Sequence, residues 1–417
     1  MQSVELGAVA DQDQTQKPFD LFLIFAGANI VATTLQTGGW VTGFSIRTAM
    51  LIIAAGSLAG AWLVAALAPV GSRLRVPSIV AARAALGFQG AQIVAILLFV
   101  TNFFWIADNN VIAASIIARL VGGPAAPHAA SWAVAIGVIA TVTVLGGPRA
   151  VGLADRFAVP TLFLSGIAMT VACLRATWPV VAVPPTSITD VLRGFDLPFG
   201  YQITWLLMFA DYSRYSRSGR RSSFAVFGGL GLTALWFMPL GLVASTLAAS
   251  TDPGAMVFGL GLGWWGGALL LLGTLTTNFV NIYMSALALK SLRPRTTNAG
   301  AIWLIGGVGA ALSLLGQVWF DQFVNGVSLV AGSFLPIGGI LVAHFLILRR
   351  QHAPAELYHG PSGQSPAIGL WSRAGMVAWV LGAAAFYLAR PIGGTLPSLV
   401  VSIAAYLLLV SRSKVLR

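Results

Sequence analysis

About twelve apolar runs, each long enough to cross a hydrocarbon core of roughly 30 Å at 1.5 Å per helical residue, follow one another along this chain with short polar links between them. Backbone amides and carbonyls inside lipid have no water to bond to, so each run has to close its own hydrogen bonds as a helix. The spacing predicts spans near 20–42, 48–69, 88–119, 129–147, 157–178, 196–211, 223–247, 257–289, 299–317, 324–348, 372–389 and 394–411. Apolar residues make up 57% of the 417 and charged residues 9%. With no long polar insertion there is no room for a separate soluble catalytic domain, and function has to sit between helices. Residues 1–19 are polar, lack the basic start and apolar core of a signal peptide, and read as a disordered cytoplasmic tail.

The charges encode an orientation. Alternating the links from a cytoplasmic N-terminus puts 19 of the 24 Lys and Arg residues on one side, among them Arg73, Arg75, Arg83, Arg214, Arg217, Arg220, Arg221, Arg349 and Arg350. Arg47, Arg119, Arg175, Arg193 and Arg390 remain on the other. The bias supports both the count of spans and a cell-membrane protein, inner or plasma membrane, with both termini in the cytoplasm. The net charge of +12 therefore concerns anionic lipid and topology, not nucleic acid. Nothing in the sequence points to an obligatory protein partner. The single Cys173 excludes a disulfide framework, and His128, His344, His352 and His359 fall at span ends or in a loop, so no metal-ligand cluster is legible.

Forty-seven glycines suit close helix packing in lipid, and the polar residues within the spans are more telling. In the third span Asn102, Trp105 and Asn109 stand at i, i+3 and i+7 and share one face, with Asp108 at its edge. A carboxylate at that depth costs roughly 2.5–3.5 kcal/mol on insertion scales, so it needs a cavity, a partner helix or a proton. The eighth span carries Thr274, Thr277, Asn278 and Asn281 as a stripe. Hydroxyls and carbonyls there suit a hard monovalent cation and amides suit a heterocycle, while the plainer alternative is threonines bonded back to their own helix and asparagines joining helices. The first span, through Thr37-Gly38-Gly39, and the short sixth, through Pro198-Phe199-Gly200, look breakable. Interrupted spans at matching places in two halves point to a transporter site between inverted repeats.

These residues resemble the nucleobase-cation-symport-1 family, in particular its cytosine and purine-cytosine permeases. The likeness runs over about residues 20–350 and rests on Thr37-Gly38-Gly39, Ala84-Ala85-Leu86-Gly87-Phe88, Trp105 with its amides, Ala210-Asp211-Tyr212-Ser213-Arg214-Tyr215, Thr276-Thr277-Asn278 and Phe334-Leu335-Pro336-Ile337-Gly338-Gly339. It implies an all-α membrane protein with a five-plus-five inverted repeat of the leucine-transporter type, repeats at 20–178 and 196–348, a loop at 349–371, two further helices within 372–411 and a short cytoplasmic C-terminus. It implies no cofactor and no enzyme activity. The implied sodium site takes carbonyls of Gly27, Val31 and Gly273 with the hydroxyls of Thr276 and Thr277. The implied substrate site takes Trp105 as a stacking platform, Asn109 or Asn102 at the substrate edge, Gly200, Tyr201 and Gln202 from the sixth span, and Asn278 from the eighth. Pro336 with its neighbouring glycines would bend the tenth span as a gate.

Departures from the family pattern carry information too. Asp108 replaces an apolar residue, Tyr201-Gln202 stands where relatives place a bulky aromatic, and His344 stands where cytosine permeases have an acid. The expected function is a symporter that imports cytosine, a purine or a related planar nitrogen heterocycle by alternating access, with sodium as the coupling ion. The alternative is proton-coupled import of allantoin, a hydantoin or hydroxymethylpyrimidine through Asp108. A channel would show rings of charge or carbonyl filters, and an intramembrane enzyme a nucleophile with its base; neither pattern is present.

Overall fold

The computed structural model describes residues 7–122, 129–146, 148–178, 185–293, 295–358 and 368–415; His128, His359 and the last residues of the C-terminus, Arg417 included, lie outside them. Fifteen α-helices and no strand occur among these residues. Seven helices are long and apolar enough to cross a membrane, and a pair bent by 58° makes an eighth span. That pair is α1 (Pro18–Asn29) and α2 (Ala32–Gly39), so the first predicted span is broken at Ile30–Val31, whereas the expected weak point Thr37-Gly38-Gly39 is helical and lies within α2. α3 (Ile46–Leu74), α5 (Phe88–Leu120), α9 (Gly219–Ala248), α11 (Gly263–Leu292) and α12 (Asn298–Leu312) match the second, third, seventh, eighth and ninth spans. α6 (Ala129–Leu145) and α7 (Pro148–Arg175) supply the fourth and fifth, α13 (Gln317–Val342) the tenth, and α14 (Arg373–Ala389) and α15 (Thr395–Val415) the last two.

Several boundaries differ from expectation for local reasons. α8 (Ile188–Ile203) starts eight residues before the predicted sixth span, because Ser187 and Asp190 form a reciprocal capping box, and it gives way to 3-10 turns at Leu206–Met208 and Ser213–Tyr215. A separate α10 (Pro253–Gly259), capped by Asp252 Oδ1 on Gly254 N–H at 2.9 Å, precedes α11; Gly261 and Gly263, both at positive φ, end the continuous span predicted there. α4 (Ser78–Leu86), absent from the prediction, turns into α5 at Gly87, whose φ of +84° and close approach to the Leu370 carbonyl leave no room for a side chain. α13 runs through Pro336 and changes its winding only at Ala343–Ile347, in a π turn.

α3, α8 and α9 pack side by side, with Gly56 and Gly60 of α3 lying directly against Pro198, Phe199 and Gln202 of α8. α2 lies on α9 with backbones in contact: a Cβ on Gly38 would overlap the Met238 carbonyl, and one on Gly241 the Leu35 carbonyl. Small residues are required there because lipid supplies no hydrophobic drive between helices, so tight van der Waals contact has to.

One face of the molecule gathers the predicted basic links. The tail there is docked, not free. Gln14 is buried and its Nε2 donates to the carbonyls of Ser72 at 3.0 Å, Arg214 at 3.0 Å and Ser216 at 3.2 Å. Val9 N–H bonds to the Arg75 carbonyl, Gln16 N–H to Tyr215, and Asp11 pairs with Arg75. Residues 7–17 are thereby strapped across the ends of α3 and the turns after α8, which corrects the expectation of a disordered tail over that stretch. On the same face His344, in the π turn, bonds through Nδ1 to the Tyr406 hydroxyl at 2.7 Å and through Nε2 to His352 Nε2 at 2.9 Å. The opposite face joins α5 to α10, where Ser115 and Arg119 both reach the Asp252 carboxylate.

Gln14→Ala would leave three carbonyls without their donor and cost about 1–3 kcal/mol, read as a lowered Tm of the purified protein. The histidine pair makes stability pH-dependent. Burial holds the His352 imidazole below its ordinary 6.5, helped by Arg350 and Arg73 and opposed by Glu356. As pH falls below about 6.5 the unfolded chain takes up the proton first, so this stability is fully present above that value and is lost on acidification towards the lower folded-state value. Tm should therefore fall between pH 7.5 and 5.5, and His352→Gln should flatten part of that slope.

Candidate functional site

The break between α1 and α2 exposes backbone in the middle of the bundle. The helical ladder ends with Ile30 N–H on the Ala26 carbonyl and restarts with Thr34 N–H on Val31, so the carbonyls of Gly27 and Ala28 accept no helical amide. Ile30 and Val31, both β-branched, adopt φ/ψ of −86/71° and −139/163°, away from helix. The break is held from three directions. Thr34 Oγ1 donates to the Asn29 carbonyl at 2.6 Å, and Asn29 Nδ2 reaches α9 at the Leu230 carbonyl, 2.9 Å, and Thr233 Oγ1, 3.0 Å. Across the gap, the Tyr201 hydroxyl lies 2.8 Å from Thr33 Oγ1 and 2.9 Å from Thr34 Oγ1, tying the end of α8 to the start of α2.

Between these breaks, α5, α11 and α13 lies a cavity of about 550 Å³. Trp105 stands in its wall with its ring edge-on to Tyr201, centroids 5.8 Å apart at 89°, and to Phe104 and Phe323 at 4.8 and 6.3 Å. Asn102 and Asn109 flank it as the stripe predicts. Asn109 Nδ2 donates to the Trp105 carbonyl at 2.8 Å, while its Oδ1 is buried with no partner among the described residues. Gly27, Val31, Thr276 and Thr277 line the cavity together. Both threonine hydroxyls donate to the Gly273 carbonyl, at 3.0 and 2.9 Å, which leaves their oxygen lone pairs available. Among the described residues no Asp, Glu, Lys, Arg or His belongs to the lining. From Val31 the cavity runs back along α1 to Ile24 and Leu23, and along the turns after α8 to Met208 and Tyr212, so it extends towards the face that carries the N-terminus.

Of the other residues singled out from the sequence, Gly200, Gln202, Asn278, Gly273, Asp108 and Pro336 are not part of the lining. Gln202 is fully buried against Gly60 of α3, and neither its Oε1 nor its Nε2 has a partner among the described residues. Gly200 faces Ala331 and Val327 of α13. Asn278 turns away from the cavity: its Nδ2 donates to Asn110 Oδ1 at 2.6 Å, and Asn110 Nδ2 donates to Ser313 Oγ at 2.9 Å, a chain joining α11, α5 and the end of α12. Gly273 packs on Leu162, and the Val31 carbonyl is the first acceptor of α2, used by the amides of Thr34 and Leu35. Asp108 is wholly buried behind the lining; Gln36 Nε2 approaches its Oδ1 at 3.5 Å and its Oδ2 has no partner among the described residues. Pro336 lies away from the cavity, against Gly382 of α14.

The structure also adds residues. Asn281, one turn from Thr277, lines the cavity in place of Asn278; the stripe contained both, and only the rotation of α11 chooses between them. Thr33, Thr101, Thr204, Trp205 and Tyr212 line it as well. Thr204 and Trp205 stand three and four residues after Tyr201, so helical spacing from that residue is the signal in the sequence that could have found them. Among the described residues no group of three metal-ligating side chains occurs.

The two asparagines separate by experiment. Asn281→Ala should raise the KM for cargo with little change in Tm. Asn278→Ala should lower Tm by an amount corresponding to about 1–2 kcal/mol of interhelical bonding and leave the KM of the folded fraction unchanged, as read by uptake and thermal unfolding on the same preparations.

Comparison with known proteins yields a consistent set. The family described as permeases for cytosine/purines, uracil, thiamine and allantoin matches residues 8–409. The putative purine-cytosine permease YxlA of Bacillus subtilis (strain 168) is 24% identical over 383 residues, 85% of this chain and 82% of that protein. The cytosine permease of Escherichia coli (strain K12) is 22% identical over 352 residues, 80% and 78% of the two chains. Among solved structures, the nucleobase-cation-symport-1 transporter Mhp1 superposes with a TM-score of 0.73 in a closed conformation with bromovinylhydantoin bound, and 0.74 in an inward-facing conformation. Identity is 19% in both, covering 97% of this chain and 94% and 95% of those chains. The fold of α1–α15 is thus that of the nucleobase-cation-symport-1 transporters, as the sequence resemblance implies.

Proposed function

The chain belongs to the family of permeases for cytosine/purines, uracil, thiamine and allantoin, and we propose that it is a symporter which imports an uncharged planar nitrogen heterocycle, a nucleobase such as cytosine or a purine, with sodium. The observation that carries this reading is the composition of the cavity wall: an indole, Trp105, beside amides and hydroxyls, with no Asp, Glu, Lys, Arg or His among the described residues that line it. An anionic or cationic cargo would lose its hydration there without a counter-charge, whereas a neutral ring exchanges water for the Trp105 face and for hydrogen bonds to its edge. Asn109 Oδ1, lacking a partner among the described residues, would accept a ring N–H or exocyclic amine, and Asn102 and Asn281 offer further amides. A ring with the wrong edge leaves buried amides unpaired, which is the source of selectivity.

Sodium as co-transported ion fits the oxygen donors at the first break. The free carbonyls of Gly27 and Ala28 and the hydroxyl oxygens of Thr276 and Thr277 are hard, neutral ligands from two different elements. The Val31 and Gly273 carbonyls, engaged in bonds within the chain, would join only as secondary acceptors. A cation bridging α1 and α11 would order the break on which Thr33, Thr34 and Tyr201 converge, which couples ion to cargo. With the basic face cytoplasmic, the cavity as it stands faces inward, and the cycle exchanges it for an outward one between the repeats at 20–178 and 196–348. The protein would lie in the cell membrane with both termini inside.

Asp108 supports a second reading, proton coupling with allantoin, a hydantoin or hydroxymethylpyrimidine as cargo. Its carboxylate is buried, with one oxygen lacking a partner among the described residues. The first reading has the better geometry, since Asp108 stands behind the cavity wall and Thr276 and Thr277 stand in it.

A thermal-shift screen of purified protein against cytosine, uracil, adenine, hypoxanthine, allantoin, hydantoins and hydroxymethylpyrimidine, in sodium and in choline, tests both. One ring should raise Tm in sodium only, by about 2.7 kcal/mol of linkage at a hundred times its Kd, and Thr277→Ala and Trp105→Ala should each abolish the shift. A shift indifferent to sodium but altered by pH and by Asp108→Asn would replace sodium with the proton. No shift from any ring would overturn the heterocycle assignment.

A further inference from the structure

The two C-terminal helices take no part in the cavity wall, yet one of them is anchored on a helix that does. α15 begins at Thr395, and the residue before it, whose carbonyl accepts Ser398 N–H, is Gly394, which has no side chain to accept from first-turn amides. The acceptor comes from α8. The Asp196 carboxylate takes Gly394 N–H on Oδ2 at 2.7 Å and Thr395 N–H on Oδ1 at 3.1 Å, a charged cap supplied from almost 200 residues away. No local residue could supply it. A Cβ on Gly394 would lie 2.5 Å from the Phe386 carbonyl oxygen, so a serine or aspartate cap at that position is sterically barred. Gly393 turns with φ +104°, and its Cβ would press on Leu192 of α8 at 2.9 Å, so the turn is shaped to lie flat on α8 where Asp196 projects. The same turn reaches the tenth span, since the Arg390 guanidinium donates to Asn325 Oδ1 of α13.

Asp196 lies one helical turn before Gly200 and five residues before Tyr201, whose ring lines the cavity and whose hydroxyl bonds to Thr33 and Thr34. We propose that Asp196 is a positioning residue for transport: by capping α15 it pins α8 to the turn between α14 and α15 and so fixes the depth and rotation at which Tyr201 enters the cavity wall. The C-terminal hairpin is then an anchor for the interrupted helix and not only lipid-facing packing. Without the cap, α8 is held near Tyr201 by α3, α13 and two hydroxyls, and its end is free to shift along its axis. The proposal rests on the cavity being the transport site.

Amide hydrogen exchange of the full-length protein, read by mass spectrometry without cargo, tests the mechanical half. In Asp196→Ala, exchange should rise in peptides from the first turn of α15 and also in those covering 197–203 of α8, with Asp196→Asn, which keeps one acceptor, between it and the wild type. Uptake of the ring found in the thermal-shift screen tests the other half: KM should rise about fivefold or more, while the maximal rate per folded transporter stays within about twofold. Faster exchange confined to α15 with an unchanged KM would overturn the proposal, because Asp196 would then be a cap and nothing else. If Asp196→Ala does not fold, the same two readouts on Asp196→Asn decide. Failure of the wild type to take up any ring would sink the transport reading, and the exchange result, taken without cargo, would still stand or fall by itself.

Discussion

In hydrocarbon an unpaired backbone carbonyl costs several kcal/mol, so a helix that stops halfway through the membrane has to be held by protein on every side. The break at Ile30–Val31 satisfies this by recruiting side chains from three helices. Asn29 reaches α9, Thr34 staples the gap, and Tyr201 closes it from α8. The carbonyls of Gly27 and Ala28, among those the break leaves without an amide, border the cavity. Everything that makes this molecule more than a bundle depends on that arrangement: the cavity exists because the ladder is interrupted, and its oxygen donors are the groups that interruption releases.

The same economy appears in how polar side chains are divided. Those on the cavity side keep capacity in reserve, as Asn109 does with its Oδ1 and Thr276 and Thr277 with their lone pairs. One face away, Asn278 commits its Nδ2 to the scaffold, in the chain through Asn110 to Ser313 that joins α11, α5 and the end of α12, while its own Oδ1 is buried without a partner among the described residues. Asparagine therefore has two roles within one turn of α11, and the division between them is a rotation of about 60° at 100° per residue and three residues. Gln202 and Asp108 stand out as buried groups with polar atoms that have no partner among the described residues, and neither borders the cavity.

Caps organise the aqueous faces. On one face Gln14 gathers three carbonyls and draws the tail over the ends of α3 and the turns after α8. On the other, Asp252 and Asp196 cap helices at their N-termini, one within its own segment and one across the fold. Each carboxylate meets a helix N-terminus, where the dipole favours negative charge. These contacts join elements far apart in sequence, and they lie outside the apolar region where helix packing alone sets geometry.

Periodicity and charge determined much of this protein by themselves. Long apolar runs can only be membrane helices, and the Trp105 stripe, fixed by a 3.6-residue repeat on one uninterrupted helix, lies in the cavity as its spacing requires. Local caps such as Ser187 with Asp190 are also written in sequence, since they act over three residues. What sequence could not decide were relations between elements: which of Asn278 and Asn281 faces the cavity, that Gln202 turns to Gly60, that the tail is docked by Gln14, and that Asp196 caps α15. Helix rotation and long-range pairing come from how small-residue surfaces interlock, and an apolar stretch in lipid has nearly the same hydropathy on every face, so its sequence carries little record of which face was chosen.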